Sequence, residues 1–123
     1  MGNAKIKTFT DLIAWQEGHK LVLQVYKITS SFPRAEFSLI DQMKRCSVSI
    51  TSNIAEGFSR KSKKEKMQFY YMSLGSTTEL QNQLVISRDL GFASVKDFDD
   101  VAQKTINVHK LINGLIKSSK SYT

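Results

Sequence analysis

The chain has 123 residues, of which 41% are hydrophobic, and 18 Lys and Arg against 11 Asp and Glu give a formal net charge of +7. This size and composition are typical of one folded domain and exclude a disordered chain. The single cysteine excludes an intramolecular disulfide, and no apolar run approaches the roughly 20 residues that span a membrane. We expect one cytoplasmic domain over residues 1–123, ordered over about 9–118, whose basic excess favours polyanionic partners, nucleic acid first.

Four amphipathic segments follow one another along the chain, with apolar residues recurring at the three- and four-residue steps typical of α-helices. They predict helices at about residues 12–31, 39–57, 63–90 and 95–118. Connections of about four to eight residues place neighbouring helices antiparallel. The predicted fold class is therefore all-α, an antiparallel up-down-up-down four-helix bundle.

The first two helices have recognisable start and stop signals. Thr10 or Asp11 is predicted to cap the first helix, which ends before Pro33 because proline disfavours the α conformation in the residue that precedes it. Ser38 is predicted to cap the second helix, and Gly57 to stop it.

The third and fourth helices carry fuller capping signals. Ser62 is followed three residues later by Glu65, and Ser94 by Asp97, which is the spacing of a capping box. Gly91 follows the third helix and is predicted to be its C-terminal cap.

The third helix is too apolar to be buried on one side only. Large apolar side chains fill most of residues 67–72, while Phe69, Met72 and Leu80 point away from the main apolar face. A helix of a four-helix bundle has one buried side, so its other apolar side must meet something else. We predict that these three residues lie at a subunit contact of a homo-oligomer; the alternative is that loops or the chain termini cover them.

The sequence contains no recognisable catalytic or metal site. His19 and His109 have neither a Glu three residues before them nor a cysteine at zinc-binding spacing. Cys46 lies on the apolar stripe of the second helix, where a packed thiol is favoured over a nucleophile. Glu56 and Glu79 are better explained by partners one helical turn away than as a catalytic pair. We expect no enzymatic activity, metal, cofactor or small-molecule substrate.

A basic cluster lies between the second and third helices, where five cations and one acid occupy residues 60–66. Lysine and arginine hold phosphates in any sequence context, although a solvated turn is the simpler alternative. Phe58, beside the cluster, would either stack on unpaired bases or pack under the turn. The residues predicted to bind nucleic acid are Arg60, Lys61, Lys63, Lys64 and Lys66, joined by Lys44 and Arg45 on the second helix.

Several stretches of the sequence match the motifs of one family. Residues 9–16 (FTDLIAWQ) match its F-x-D-L-x-x-W-Q start, and residues 49–57 (SITSNIAEG) match its S-I-x-x-N-I-A-E-G centre. Further matches are Phe32 and Pro33 with residues 42–45 (QMKR), the basic continuation at 60–65 (RKSKKE), and residues 75–81 (GSTTELQ). On these motifs the chain resembles the four-helix-bundle proteins encoded by intervening sequences within bacterial large-subunit ribosomal RNA genes.

This resemblance implies an antiparallel bundle that assembles as a ring, a homopentamer, and it implies little about function. A related branch, the accessory variability proteins of retroelements, consists of basic pentamers that bind nucleic acid and a reverse transcriptase. The positive charge favours nucleic acid, the lack of a recognisable catalytic or metal site argues against an enzyme, and the resemblance implies an oligomer. Together they predict a non-enzymatic, oligomeric protein that binds nucleic acid, namely RNA, and does not bind a membrane. The alternative is a protein-binding scaffold or accessory factor, such as the reverse-transcriptase partner of a retroelement.

Overall fold

The computed structural model describes residues 5–121, which form four α-helices and no strand, so the all-α prediction is confirmed. Two short 3-10 turns, Phe9–Asp11 and Arg34–Glu36, precede the first and second helices. Within residues 5–121, every helix is too short or too polar to serve as a transmembrane segment. The helices are α1 (Ile13–Thr29), α2 (Phe37–Ser59), α3 (Lys63–Asp89) and α4 (Val95–Ser121).

The predicted caps of α3 and α4 are confirmed. The Ser62 hydroxyl accepts the backbone N–H of Glu65 at 3.1 Å, and the Ser94 hydroxyl accepts that of Asp97 at 3.1 Å. Gly91 has a φ of +77°, a left-handed conformation that favours glycine, and it directs the chain out of α3. These local signals were sufficient to place both ends of α3 and the start of α4.

The predicted caps of α1 and α2 are wrong. The side chain of Asp11 accepts the backbone N–H groups of Lys7 and Thr8, so it stabilises the 3-10 turn that precedes α1. No side chain caps α1, and α2 begins one residue before Ser38. Gly57 does not stop α2, because the helix continues for two residues beyond it.

Contacts between α2 and α3 pair the start of one helix with the end of the other. Along α2 and α3, the hydroxyl of Ser87 donates to the sulfur of Met43, whereas the start of α3 approaches the end of α2. Between α1 and α4, Lys104 Nζ donates to Glu17 at 2.7 Å. Helix α1 packs on α2 and α4, and α3 packs on the same two helices. Apolar side chains from all four helices therefore enclose one core, whose fully buried members are Leu21, Val25, Met43, Ile50, Ile54, Leu80, Leu84, Val108 and Ile112.

Small and polar side chains fill the seam between α2 and α3. The hydroxyl of Ser73 donates to the Ile50 carbonyl oxygen at 2.7 Å, and the hydroxyls of Ser49 and Ser76 lie 2.8 Å apart. At the end of the seam, a Cβ atom on Gly57 would lie only 2.6 Å from a ring carbon of Tyr70, which is 2% exposed. Glycine is required at this position because the Tyr70 ring occupies the space of a side chain.

The close approach at Gly57 generates a prediction for stability. The Gly57→Ala substitution should lower the free energy of unfolding by about 1–3 kcal/mol, because the new methyl group overlaps a buried ring that cannot move aside. Gly114→Ala in α4 is the matched control, since nothing lies within 4 Å of its added Cβ atom. The control should gain about 0.5–1 kcal/mol from helix propensity. Urea denaturation followed by circular dichroism measures both, and an unchanged or higher stability of Gly57→Ala would contradict the packing described here.

Candidate nucleic-acid interface

The predicted basic cluster lies at the junction of α2 and α3. Helix α2 ends at Ser59 and α3 begins at Lys63, so only three residues connect them. The short connection holds the ends of two helices together, and the cations of residues 60–66 extend from both ends and from the turn between them. Their side chains nevertheless have different surroundings.

Arg60 and Lys66 are bound to the protein itself. Arg60 Nη2 contacts the carboxylate of Glu56 at 3.1 Å, and its guanidinium lies over the ring of Phe69. Lys66 Nζ donates to the carbonyl oxygens of Gly57 at 3.3 Å and Phe58 at 2.8 Å. Burial lowers the pKa of Lys66. Its ammonium group thus satisfies carbonyl groups at the end of α2, where a cation also interacts favourably with the helix dipole.

Lys61 and Lys64 are exposed on the turn and on the first turn of α3. Lys63 Nζ, in contrast, donates to the backbone carbonyl of Lys120 at 2.7 Å. This bond places the end of α4 beside the start of α3, so cations of α4 join the cluster. Lys120 could not be identified from the sequence as a site residue, because 57 positions separate it from Lys63 and only the helix packing brings the two together.

Positive charge is concentrated at one end of the molecule, which we call the basic end and define as residues 5–11, 56–66 and 110–121. A groove lined by Ile6, Asp11, Lys110 and Ser118 connects its first segment to α4. The basic end carries ten Lys and Arg against three Asp and Glu, whereas residues 27–41 and 88–100 carry four against six. The excess of cations is therefore local, and it creates a positive potential at one end of the protein.

Lys44 and Arg45 lie apart from the basic end. Helix α2 continues for fifteen residues from Lys44 to its last residue, Ser59, or about 22 Å at the rise of an α-helix. The ammonium of Lys44 lies 4.9 Å from the ring centre of Tyr26, and Arg45 pairs with Asp41 at 3.0 Å. These two residues do not extend the cluster of residues 60–66.

The three predicted subunit-contact residues have three different surroundings. Leu80 is fully buried in the core and has no exposed surface for a second chain, so its assignment to an interface is wrong. Phe69 is half-buried beneath the guanidinium of Arg60. Met72 is 55% exposed, and α3 and the residue that follows it carry further exposed large apolar side chains along their length, including Val85, Ile86 and Leu90. An apolar surface on α3 thus exists, although Leu80 is not part of it.

The side chains considered for catalysis have structural partners. Burial, with a smaller contribution from Glu79, raises the pKa of the Cys46 thiol to about 12, and the thiol donates to the Ser76 carbonyl oxygen. Glu56 pairs with Arg60, and Glu79 accepts the side-chain amide of Gln83 at 3.3 Å. The packed thiol and the helix pairs are thereby confirmed. In the part of the chain that the structure describes, no three His, Cys, Asp or Glu side chains are grouped to hold a metal ion.

Phe58 also has an internal partner. Its ring is half-buried, and the ammonium of Lys66 lies 5.5 Å from the ring centre. Of the two alternatives for this side chain, packing at the turn agrees with these contacts.

Comparison with known proteins places this geometry in context. A family model described as 23S rRNA-intervening sequence protein matches residues 10–114. A crystal structure from Bacteroides thetaiotaomicron, of a protein with unknown function from the S23 ribosomal protein family, has a similar fold with a TM-score of 0.78. The two sequences are 18% identical, and the similarity covers 85% of this chain and 99% of the other. No curated protein matches the sequence.

Substitution of a lysine that is bound to the protein should affect stability more than substitution of an exposed lysine in the same cluster. Lys66→Met removes the donor to two carbonyl groups but keeps the length of the side chain, and should lower the free energy of unfolding by about 1–2 kcal/mol. Lys64→Met, at an exposed position, should change it by no more than about 0.5 kcal/mol. Thermal or urea unfolding measures the free energy of unfolding of both variants. Equal effects of the two substitutions would mean that Lys66 does not cap α2.

Proposed function

This chain belongs to the 23S rRNA-intervening sequence protein family, and from that premise we propose that it is a non-enzymatic cytoplasmic protein that binds RNA through its basic end. The observation that carries the proposal is the concentration of ten cations against three acids in residues 5–11, 56–66 and 110–121. Phosphate groups bind such a surface because each contact releases condensed counterions. The name of the family favours RNA over DNA as the polyanion.

The proposed phosphate contacts are made by the cations that have no role in holding the turn. Lys61 and Lys64 are exposed, and Lys63 and Lys120 lie beside them. Arg60 and Lys66 contribute positive potential while Nη2 of Arg60 stays paired with Glu56 and the ammonium of Lys66 stays bound to the end of α2. Contacts of this kind position an RNA backbone without reading its sequence, so we expect little sequence preference.

The proposal includes an up-down-up-down bundle that assembles into a ring of five chains. Residues late in α3 contact residues early in α2, and Lys104 of α4 contacts Glu17 of α1. These contacts support the topology. Exposed apolar side chains on α3, with Met72 at 55% and Leu90 at 58%, support a contact with a second chain. In a ring, the basic end is repeated in each subunit, and an RNA that reaches several copies gains avidity.

A protein partner is the second candidate function, and the same apolar side chains of α3 favour it. The two candidates differ in their response to salt. Phosphate contacts weaken steeply as salt rises, whereas a contact built on apolar surface persists.

Removal of the exposed cations should weaken RNA binding in a measurable way. In Lys61→Glu/Lys64→Glu, the affinity for a structured RNA should fall about tenfold or more, and the slope of log K against log salt should decrease by about 1.4–1.8 as two phosphate contacts are lost. Filter binding across a salt series measures both quantities.

The matched control is Lys27→Glu/Arg34→Glu, which makes the same change in net charge at exposed positions away from the basic end. This variant should keep the wild-type salt slope. Equal losses in the two variants would contradict a local site, and an absence of wild-type binding at low salt would favour the protein-partner function.

Assembly can be tested separately from binding. The Met72→Glu substitution places a charge on the exposed apolar surface of α3 and should reduce the mass in solution from about five chains, because an unpaired charge is costly to bury. Thr78→Glu, an exposed polar position on the same helix, is the control and should leave the mass unchanged. Light scattering at micromolar concentration gives the mass; a wild-type monomer would contradict the ring.

A further inference from the structure

Tyr71 is an exposed aromatic side chain beside the cations of the basic end. It lies on α3 with 49% of its surface exposed, and the ammonium of Lys120 is 5.8 Å from its ring centre. Lys120 in turn accepts a hydrogen bond from Lys63 through its backbone carbonyl. One contact therefore links the ring to Lys120, and a second links Lys120 to the start of α3.

Among residues 5–121, the other aromatic rings near this end are largely covered. Tyr70 is 2% exposed, Phe58 and Phe69 are half-buried beneath Lys66 and Arg60, and Phe9 packs edge-on against Trp15. Of the aromatic side chains described at this end, Tyr71 therefore has the ring that is most accessible to a ligand.

Two further polar side chains share the face of α3 that carries Tyr71. Lys64 and Gln68 precede it by seven and three residues, so all three lie on one side of the helix, and both are exposed. About 10 Å of helix separates Lys64 from Tyr71, a distance that a short stretch of RNA can bridge. The amide of Gln68, between them, can both donate and accept hydrogen bonds.

We propose that Tyr71, Gln68, Lys64 and Lys120 form a subsite for an unpaired nucleotide. The base stacks on the Tyr71 ring, while the ammonium groups of Lys64 and Lys120 contact the phosphates on either side of it. Bases in a duplex are already stacked on their neighbours and cannot reach the ring, so this subsite selects single-stranded RNA. The inference rests on the proposed function and adds the class of RNA that this surface recognises.

The chain contains a matched tyrosine for the test. Tyr26 on α1 is 45% exposed and lies under the ammonium of Lys44, as Tyr71 lies near that of Lys120. Its surroundings differ in charge, because the nearby Arg45 is paired with Asp41. Tyr26→Ala therefore removes an equivalent ring from a place where no phosphate contact is proposed.

The experiment measures the affinity of wild type, Tyr71→Ala, Tyr71→Phe and Tyr26→Ala for a fluorescent single-stranded oligoribonucleotide and for its duplex, across a salt series. Tyr71→Ala should lose about 5- to 150-fold in affinity for the single strand, the range expected for one stacked base, and less than twofold for the duplex. Its salt slope should stay unchanged because no cation is removed. Tyr71→Phe and Tyr26→Ala should bind both RNAs like wild type.

Two results would overturn the inference. A Tyr71→Ala variant that binds the single strand like wild type shows that no base stacks there. Equal losses for single strand and duplex, accompanied by a lower mass in light scattering, would assign Tyr71 to a subunit contact. Both results leave RNA binding by the lysines intact, whereas wild-type protein that binds neither RNA at low salt refutes the proposed function itself.

Discussion

The close packing of α2 against α3 is the constraint on which the functional surface depends. The Tyr70 ring lies against Gly57, and hydrogen bonds from small hydroxyl side chains join the two helices further along. Helices that approach so closely can be joined by a connection as short as residues 60–62. The connection and the first turn of α3 together carry five cations within seven residues. The short connection also brings Lys66 within reach of the end of α2, where its ammonium group satisfies two carbonyls.

Crowding of like charges at one end of a small protein is unfavourable for the folded state, because cations repel one another when folding brings them together. The structure relieves part of this repulsion. Arg60 is paired with a carboxylate, and the ammonium of Lys63 donates a hydrogen bond to a backbone carbonyl oxygen. Lys61 and Lys64 remain in solvent, where their charges are well hydrated and screened. A surface arranged in this way keeps a strong positive potential without destabilising the turn that carries it.

The sequence predicted the local caps of α3 and α4 correctly, missed those of α1 and α2, and predicted long-range features less well. The caps at Ser62 and Ser94 depend on residues three positions apart, so their spacing was sufficient. Leu80 was misplaced because the buried side of α3 includes Ser73, Thr77, Gln83 and Ser87, which a search for apolar periodicity does not recognise as core. The contribution of Lys120 to the basic end depends on contact between the first turn of α3 and the last turn of α4, which no local pattern encodes.

The sequence separation of the helix contacts has a consequence for the order of folding. The hydrogen bonds that join α2 to α3 connect residues 8 to 44 positions apart, whereas Lys104 and Glu17, which join α4 to α1, are 87 positions apart. Closing a short loop costs less chain entropy than closing a long one. The α2–α3 hairpin should therefore form early, and the docking of α1 against α4 should complete the domain. On this pathway the turn of residues 60–62 forms before the chain is fully folded, whereas the full basic end exists only after α4 has docked.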